Sequence, residues 1–271
     1  MSNLTLVGAA VVVGGVVVGP LLNHAITWWI GWRVVVPPLL GRVPPAGELG
    51  HARSRCASCD ASLAPAGLPA RPATALGGRC RVCGGRLPAW LAGVEAVTAV
   101  LFGLAAWVVG PDVRLVPVLA LAAGSIAMSA VDLAVMRIPT RFVHVTAAGV
   151  LGGLALASGV EDAPGRLQGA AIGAAALGGL LLVLHLASPR MLGFGDVRLA
   201  VVVGMAAGWF GWTADLPVLG ALQAALDAGL LAGLLGTAVG VVLLVARGRN
   251  RPFPFGPAIA AGGLVVVLAL A

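Results

Sequence analysis

Two aspartates stand where carboxylates are costly. Asp132 closes one long apolar run and Asp196 opens another, the second inside Gly193-Phe194-Gly195-Asp196. Two carboxyl groups brought together in a poorly solvated site cannot both ionise cheaply, so they share a proton, one acting as general base toward water and the other as acid. That is aspartic-protease chemistry. Gly193 and Gly195 would permit positive backbone dihedrals and the close approach of a substrate strand. A purely structural alternative stands beside this one: Asp132 ends a helix and pairs with Arg137, while Asp196 N-caps the next helix, where Asp is favoured. Asp227 also borders an apolar run, at its expected outer end and without an evident partner, and reads as a cap.

A second group suits a metal. Cys56-Ala-Ser-Cys59 and Cys80-Arg-Val-Cys83 are two C-x2-C pairs separated by 20 residues, the second followed by Gly84-Gly85. This is zinc-ribbon spacing, in which each pair forms a tight knuckle supplying two thiolates. Four sulfurs complete a closed tetrahedral Zn2+ site of the structural kind, with no open position for catalysis. Disulfides or four idle thiols are the alternatives; a cytosolic location keeps thiols reduced and favours the metal.

The elements that must position these groups follow from composition. Hydrophobic residues make up 59% and charged residues 10% of the 271, and mean hydropathy is +1.02. The expected class is an all-α polytopic membrane protein embedded in the lipid bilayer. Runs long enough to cross a bilayer lie near 5–30, 90–110, 114–133, 142–160, 167–187, 197–212, 228–246 and 255–271, about eight transmembrane helices. Residues 33 to 89 break the pattern, with eight arginines, many prolines and all four cysteines. Three parts result: a first transmembrane helix over 1–30, a cytosolic four-cysteine zinc-ribbon-like domain over 31–89, and a transmembrane peptidase part over 90–271. Trp28, Trp29 and Trp32 suit the membrane interface, and the many helical Gly and Ala residues suit close helix packing.

Orientation comes from basic residues, all 17 of them arginine. Eight lie between Arg33 and Arg86, and Arg137, Arg141, Arg190, Arg198, Arg247, Arg249 and Arg251 fall in alternate later loops, leaving Arg114 and Arg166 on the other side. The positive-inside rule then places the cysteine segment in the cytosol and both termini outside. No arginine precedes Arg33, so the first helix is expected to be retained rather than cleaved as a signal peptide. Topology and anionic headgroups account for the net charge of +7, and no basic stretch is interleaved with stacking aromatics, so nucleic acid is not an expected partner.

Taken in order, these motifs resemble the type IV prepilin peptidases, polytopic GxGD aspartyl peptidases. The resemblance runs from Arg53-Ser-Arg-Cys56 through Gly78-Arg-Cys80-Arg-Val-Cys83, Val94-Glu95 and Asp132-Leu-Ala-Val-Met-Arg137-Ile138-Pro139. It continues through Gly193-Phe-Gly-Asp196-Val-Arg-Leu199 to Pro254-Phe-Gly-Pro257. It implies that Asp132 and Asp196 are the catalytic pair, with Gly193, Gly195, Arg137, Pro139 and Glu95 supporting them. The implied substrates are type IV prepilins or pseudopilins, cut after a glycine at the cytosolic face of the bacterial inner membrane. The family often also N-methylates the new N-terminus with S-adenosylmethionine, an activity associated with its zinc-bearing loop. Departures are Thr140, where the family usually has Asp or Asn after Ile/Leu-Pro, Arg198, where lysine is common, and the wording after Gly19-Pro-Leu-Leu-Asn23-His24.

The remaining polar residues read more plainly. His24, His144 and His185 are expected to hydrogen-bond inside the bundle rather than bind metal. Glu95, several residues into a spanning run, needs a partner or a wet cavity. Pro254 and Pro257 suit the first turn of the last helix. Two rival functions remain open: a proton-coupled transporter, which would hold paired carboxylates near the bilayer midplane, and a noncatalytic zinc-ribbon scaffold, which leaves Gly193 to Asp196 without a purpose.

Overall fold

The structure is a computed structural model that describes residues 2–30, 59, 79–80, 82–86, 89–189, 192–247 and 253–271. Cys56, Trp32, Arg190, most of segment 31–89 and the side chains of Trp28 and Trp29 lie outside the described residues. Among the described residues eight helices follow in order: α1 (Ser2–Ile30), α2 (Ala89–Val109), α3 (Leu115–Val135), α4 (Thr140–Val160), α5 (Gly165–Ala187), α6 (Phe194–Gly211), α7 (Pro217–Arg247) and α8 (Gly256–Leu270). Each overlaps one expected apolar run. Among the described residues there is no strand beyond one antiparallel bridge, Arg79 to Arg86. Among the described residues six helices, α2 through α7, are long and apolar enough to cross a membrane, and α8 is a shorter apolar helix. The chain is a multi-pass membrane protein.

Two compact units form. The first holds residues 1–110 and 133–136, and with them α1 and α2. Small residues let the two helices touch: a Cβ on Gly15 would lie 3.0 Å from Ala99 Cα, and one on Gly19 2.9 Å from Glu95 Cα. In lipid, where water drives no helices together, such close backbone approach supplies the packing. Beside that contact Asn23 donates through Nδ2 to the Leu91 carbonyl (2.9 Å) and to Glu95 Oε1 (3.0 Å), and both side chains are buried.

The second unit comprises residues 111–132 and 137–271. Its tightest contact joins α5 to α6 through paired G-x-x-x-G motifs, Gly169 with Gly173 and Gly204 with Gly208. A Cβ on Gly173 would fall 2.1 Å from the Gly204 carbonyl oxygen, and one on Gly208 2.3 Å from that of Gly169. These contacts are backbone against backbone. Trp209, fully buried, donates Nε1–H to Ser158 Oγ of α4 at 2.8 Å, and the Arg166 guanidinium lies 4.7 Å from its ring centroid. At the same end Arg114 forks onto Glu161 through Nε (2.5 Å) and Nη2 (3.1 Å). The side-chain hydrogen bond to Glu161 raises the Arg114 guanidinium above its ordinary value, so this clamp stays charged.

α7 begins at Pro217 rather than near 228, and Asp227 therefore sits on an exposed face within the helix instead of capping it. Ala, Leu and Gln between the two positions are strong helix formers and carry the helix across a stretch of weaker apolarity.

Candidate active site

α3 ends with Val135, and Met136 turns the chain out of the helix with a left-handed φ of 52°. Three residues on, buried Pro139 takes an extended conformation (φ −67°, ψ 128°) as the N-cap of α4. Asp132 thus sits in the last turn of α3. Asp196 sits in the first turn of α6, whose N-cap is Gly193 at φ −72° and ψ 147°. Both glycines of the motif are thus free of positive φ, and their value lies in the space they leave.

Both carboxylates are buried, Asp132 at 4% and Asp196 at 8% exposure. Each is held the same way. Asp132 Oδ2 accepts the backbone N–H of Gly256, the first residue of α8, at 3.0 Å; Asp196 Oδ2 accepts the N–H of Gly193, also at 3.0 Å. The first N–H groups of a helix have no partner within it and carry its partial positive charge, so carboxylates are suitable acceptors there. Asp196 closes half of a capping box from position N3 and is not the N-cap. Among the described residues no ion pair joins Asp132 to Arg137, which is exposed. Nor does any described hydrogen bond occupy Oδ1 of either aspartate, which leaves one oxygen on each for water and for a proton.

Ile138 gathers the pieces. A Cβ on Gly195 would meet Ile138 Cβ at 2.9 Å, and one on Gly256 would meet Asp132 Oδ2 at 2.8 Å and Ile138 Cδ1 at 3.1 Å. Neither position has room for a larger residue. The two departures singled out above also meet: the Arg198 guanidinium donates to Thr140 Oγ1 and lies 4.7 Å from the Phe194 ring centroid. The sequence offered each separately but no signal that they touch. Gly256 likewise carried only the Pro-Phe-Gly-Pro wording.

Glu95 belongs to the first unit, where its partner is Asn23. His24 and His144 are exposed, contrary to the expected bundle-interior placement, because their helix faces there are not covered. His185 does bond as expected, with Nδ1 2.7 Å from the Leu192 carbonyl oxygen.

The cysteine cluster is separate. Sγ atoms of Cys59, Cys80 and Cys83 lie within 4.8 Å of one another, Cys59 and Cys80 at 3.9 Å. Zinc–sulfur bonds of about 2.3 Å in a tetrahedron put the sulfurs about 3.8 Å apart, so the Cys59–Cys80 spacing suits such an ion and the three thiols form a candidate metal site. The knuckle around them is built by Gly84 at φ 68°, the hydrogen bonds Gly84 N–H to Cys80 O (2.9 Å) and Cys80 N–H to Gly85 O (2.8 Å), and Gly85 N–H directed at Cys83 Sγ (3.4 Å).

Known proteins align with both units. Residues 14–109 match the Bacterial Peptidase A24 N-terminal domain, and residues 118–245 match the Type IV leader peptidase family. A prepilin leader peptidase/N-methyltransferase of Bacillus subtilis (strain 168) is 30% identical over 84% of this chain and 86% of its own length. One from Burkholderia pseudomallei (strain 1026b) is 31% identical over 94% and 83%. Another from Pseudomonas aeruginosa is 28% identical over 94% and 87%. No solved structure gives a significant match. With both halves matched, and with relatives at this identity covered over most of their length, the chain belongs to the type IV leader peptidase family.

Proposed function

We propose that the chain is a membrane aspartyl endopeptidase that removes the leader peptide of type IV prepilins or pseudopilins, with Asp132 and Asp196 as its catalytic pair. The observation that carries this reading is the shared geometry of the two side chains. Each is buried at a helix end in one unit, with Oδ2 fixed by a glycine N–H and Oδ1 left for chemistry. One carboxylate, ionised, takes a proton from water as the oxygen attacks the scissile carbonyl. The other, protonated, donates to the developing oxyanion. Collapse of the tetrahedral adduct breaks the C–N bond: the first carboxyl gives its proton to the leaving amine while the second takes one back from a hydroxyl of the adduct, restoring the starting pair. Gly193 and Gly195 let the turn that presents Asp196 pack closely, the first against the Asp196 carboxylate and the second against Ile138, while Pro139 and Arg137 shape the turn after Asp132.

The finer topology belongs to the same proposal: α1 and α8 complete eight spans, the arginine distribution puts the aspartates at the cytosolic face, and the host membrane is the bacterial inner membrane. Cys56, Cys59, Cys80 and Cys83 would hold Zn2+ as a structural ion that ties the segment 31–89 together. N-methylation of the new N-terminus by S-adenosylmethionine is the second activity, supported by the names of the relatives and by the cysteine cluster. No described residue is assigned to that co-substrate.

The test is co-expression with a matched prepilin, following leader removal and a further methyl by mass. Wild type should release the leader, and Asp132→Asn and Asp196→Asn should each lower cleavage at least about 10²-fold while the protein stays inserted. Substantial cleavage by either variant would remove the pair from the mechanism.

A further inference from the structure

We propose that His185 is a positioning residue for Asp196, acting through the single peptide unit that joins Leu192 to Gly193; the proposal rests on the peptidase reading above. His185 lies in the last turn of α5, and its Nδ1 is 2.7 Å from the Leu192 carbonyl oxygen. A carbonyl can only accept, so Nδ1 carries the hydrogen. The amide at the other end of that peptide unit is the Gly193 N–H, which donates to Asp196 Oδ2 at 3.0 Å. One planar group therefore links the imidazole to the carboxylate.

The link matters because of where the plane sits. A trans peptide is rigid, with its C=O and N–H pointing in opposite directions, so fixing one end fixes the other. Gly193 has no side chain to restrict the rotation of its own backbone, and among the described residues the backbone of the preceding Leu192 has one further hydrogen bond, from its N–H to the Ser188 carbonyl at 3.4 Å. Without an anchor on the Leu192 oxygen, the plane would turn and carry the donor away from Asp196. A donor on the carbonyl also polarises the amide, which strengthens the N–H as a donor in a poorly solvated site. The imidazole is itself held, its ring centroid 5.5 Å from that of Phe194, whose ring in turn carries the Arg198 guanidinium at 4.7 Å. His185, Phe194 and Arg198 thus brace the turn that presents Asp196.

Two measurements test this. Steady-state cleavage of a prepilin by wild type comes first, because its absence would sink the peptidase reading itself. Given cleavage, His185→Leu should lower kcat about tenfold with KM changed by less than about twofold, as expected when one hydrogen bond to the catalytic apparatus is lost. His185→Asn, whose Nδ2 can stand where Nδ1 stood, should recover kcat to within about threefold of wild type. A merely structural histidine would not be rescued by this smaller, polar side chain. The second measurement is the [15N]histidine spectrum of the solubilised protein, with the His185 signals assigned by their loss in His185→Asn. A protonated Nδ1 supports the proposal. An unprotonated Nδ1, an unchanged kcat in His185→Leu, or a loss that Asn does not restore would each overturn it, whether or not the Leu variant folds well.

Discussion

Asp132 and Gly256 are joined by a 3.0 Å hydrogen bond across 124 residues of sequence, the backbone N–H at the start of α8 donating to Oδ2 in the last turn of α3. The contact leaves no space around it, since a Cβ on Gly256 would sit 2.8 Å from that same oxygen. The glycine is there to bring the amide to the carboxylate.

Gly256→Ala should therefore impair cleavage without unfolding the protein. The methyl group must push Asp132 or Ile138 aside, and a displacement of about 1 Å at a reacting group costs on the order of 10²-fold in rate. Cleavage assays on the purified variant, with its thermal unfolding measured in parallel, separate the two effects. A variant with near wild-type kcat would show that Asp132 does not need this amide.

Thr140 and Arg198 are predicted to be energetically coupled. Their hydrogen bond is partly solvated, so Thr140→Ala should cost about 1 kcal/mol and the coupling in a double-mutant cycle should be about 0.5–1 kcal/mol. Arg198→Ala should cost more than Thr140→Ala, because it also uncovers the Phe194 ring. Reversible unfolding in mixed micelles gives the four stabilities, and purely additive losses would mean that the two side chains do not interact.

What could be read in advance, and what could not, follows the range of the interactions. Eight apolar runs became eight helices because a chain in lipid must satisfy its backbone within each segment, so segment hydrophobicity alone locates the elements. α7 shows where that fails: Gln223 and Asp227 lower apolarity without interrupting a helix of good helix formers, and its start moved from 228 to Pro217. The aspartates were visible because a carboxylate at the end of an apolar run is rare. Their partners were not, since nothing near Asp132 in sequence points to Gly256. The α5 and α6 G-x-x-x-G pairs were readable as local motifs, yet only the three-dimensional pairing shows which face meets which.

Cysteine substitution should separate the two activities. With Cys56→Ser or Cys83→Ser the proposed zinc site would lose a thiolate, and the purified protein should no longer carry near-stoichiometric zinc. Methylation should then fall far more than leader cleavage, whose aspartates lie in the other unit. Zinc content by elemental analysis, set beside both mass-shift assays, checks this. Equal loss of both activities would mean that the cysteine segment also positions the peptidase site.

The α5·α6 contact sets how the helix bearing Asp196 is seated, and Gly173 is its most demanding position. A Cβ there meets the Gly204 carbonyl at 2.1 Å, and backbone cannot rotate away as a flexible side chain would. Gly173→Ala should therefore force the helices apart and destabilise the protein by about 2–3 kcal/mol, the upper part of the usual range for overpacking. Gly159→Ala, where nothing lies within 4 Å, is the matched control: it should be neutral or stabilising by up to about 1 kcal/mol through helix propensity alone. The same unfolding measurement on both variants decides, and equal stabilities would show that this close backbone approach does not hold α6 in place.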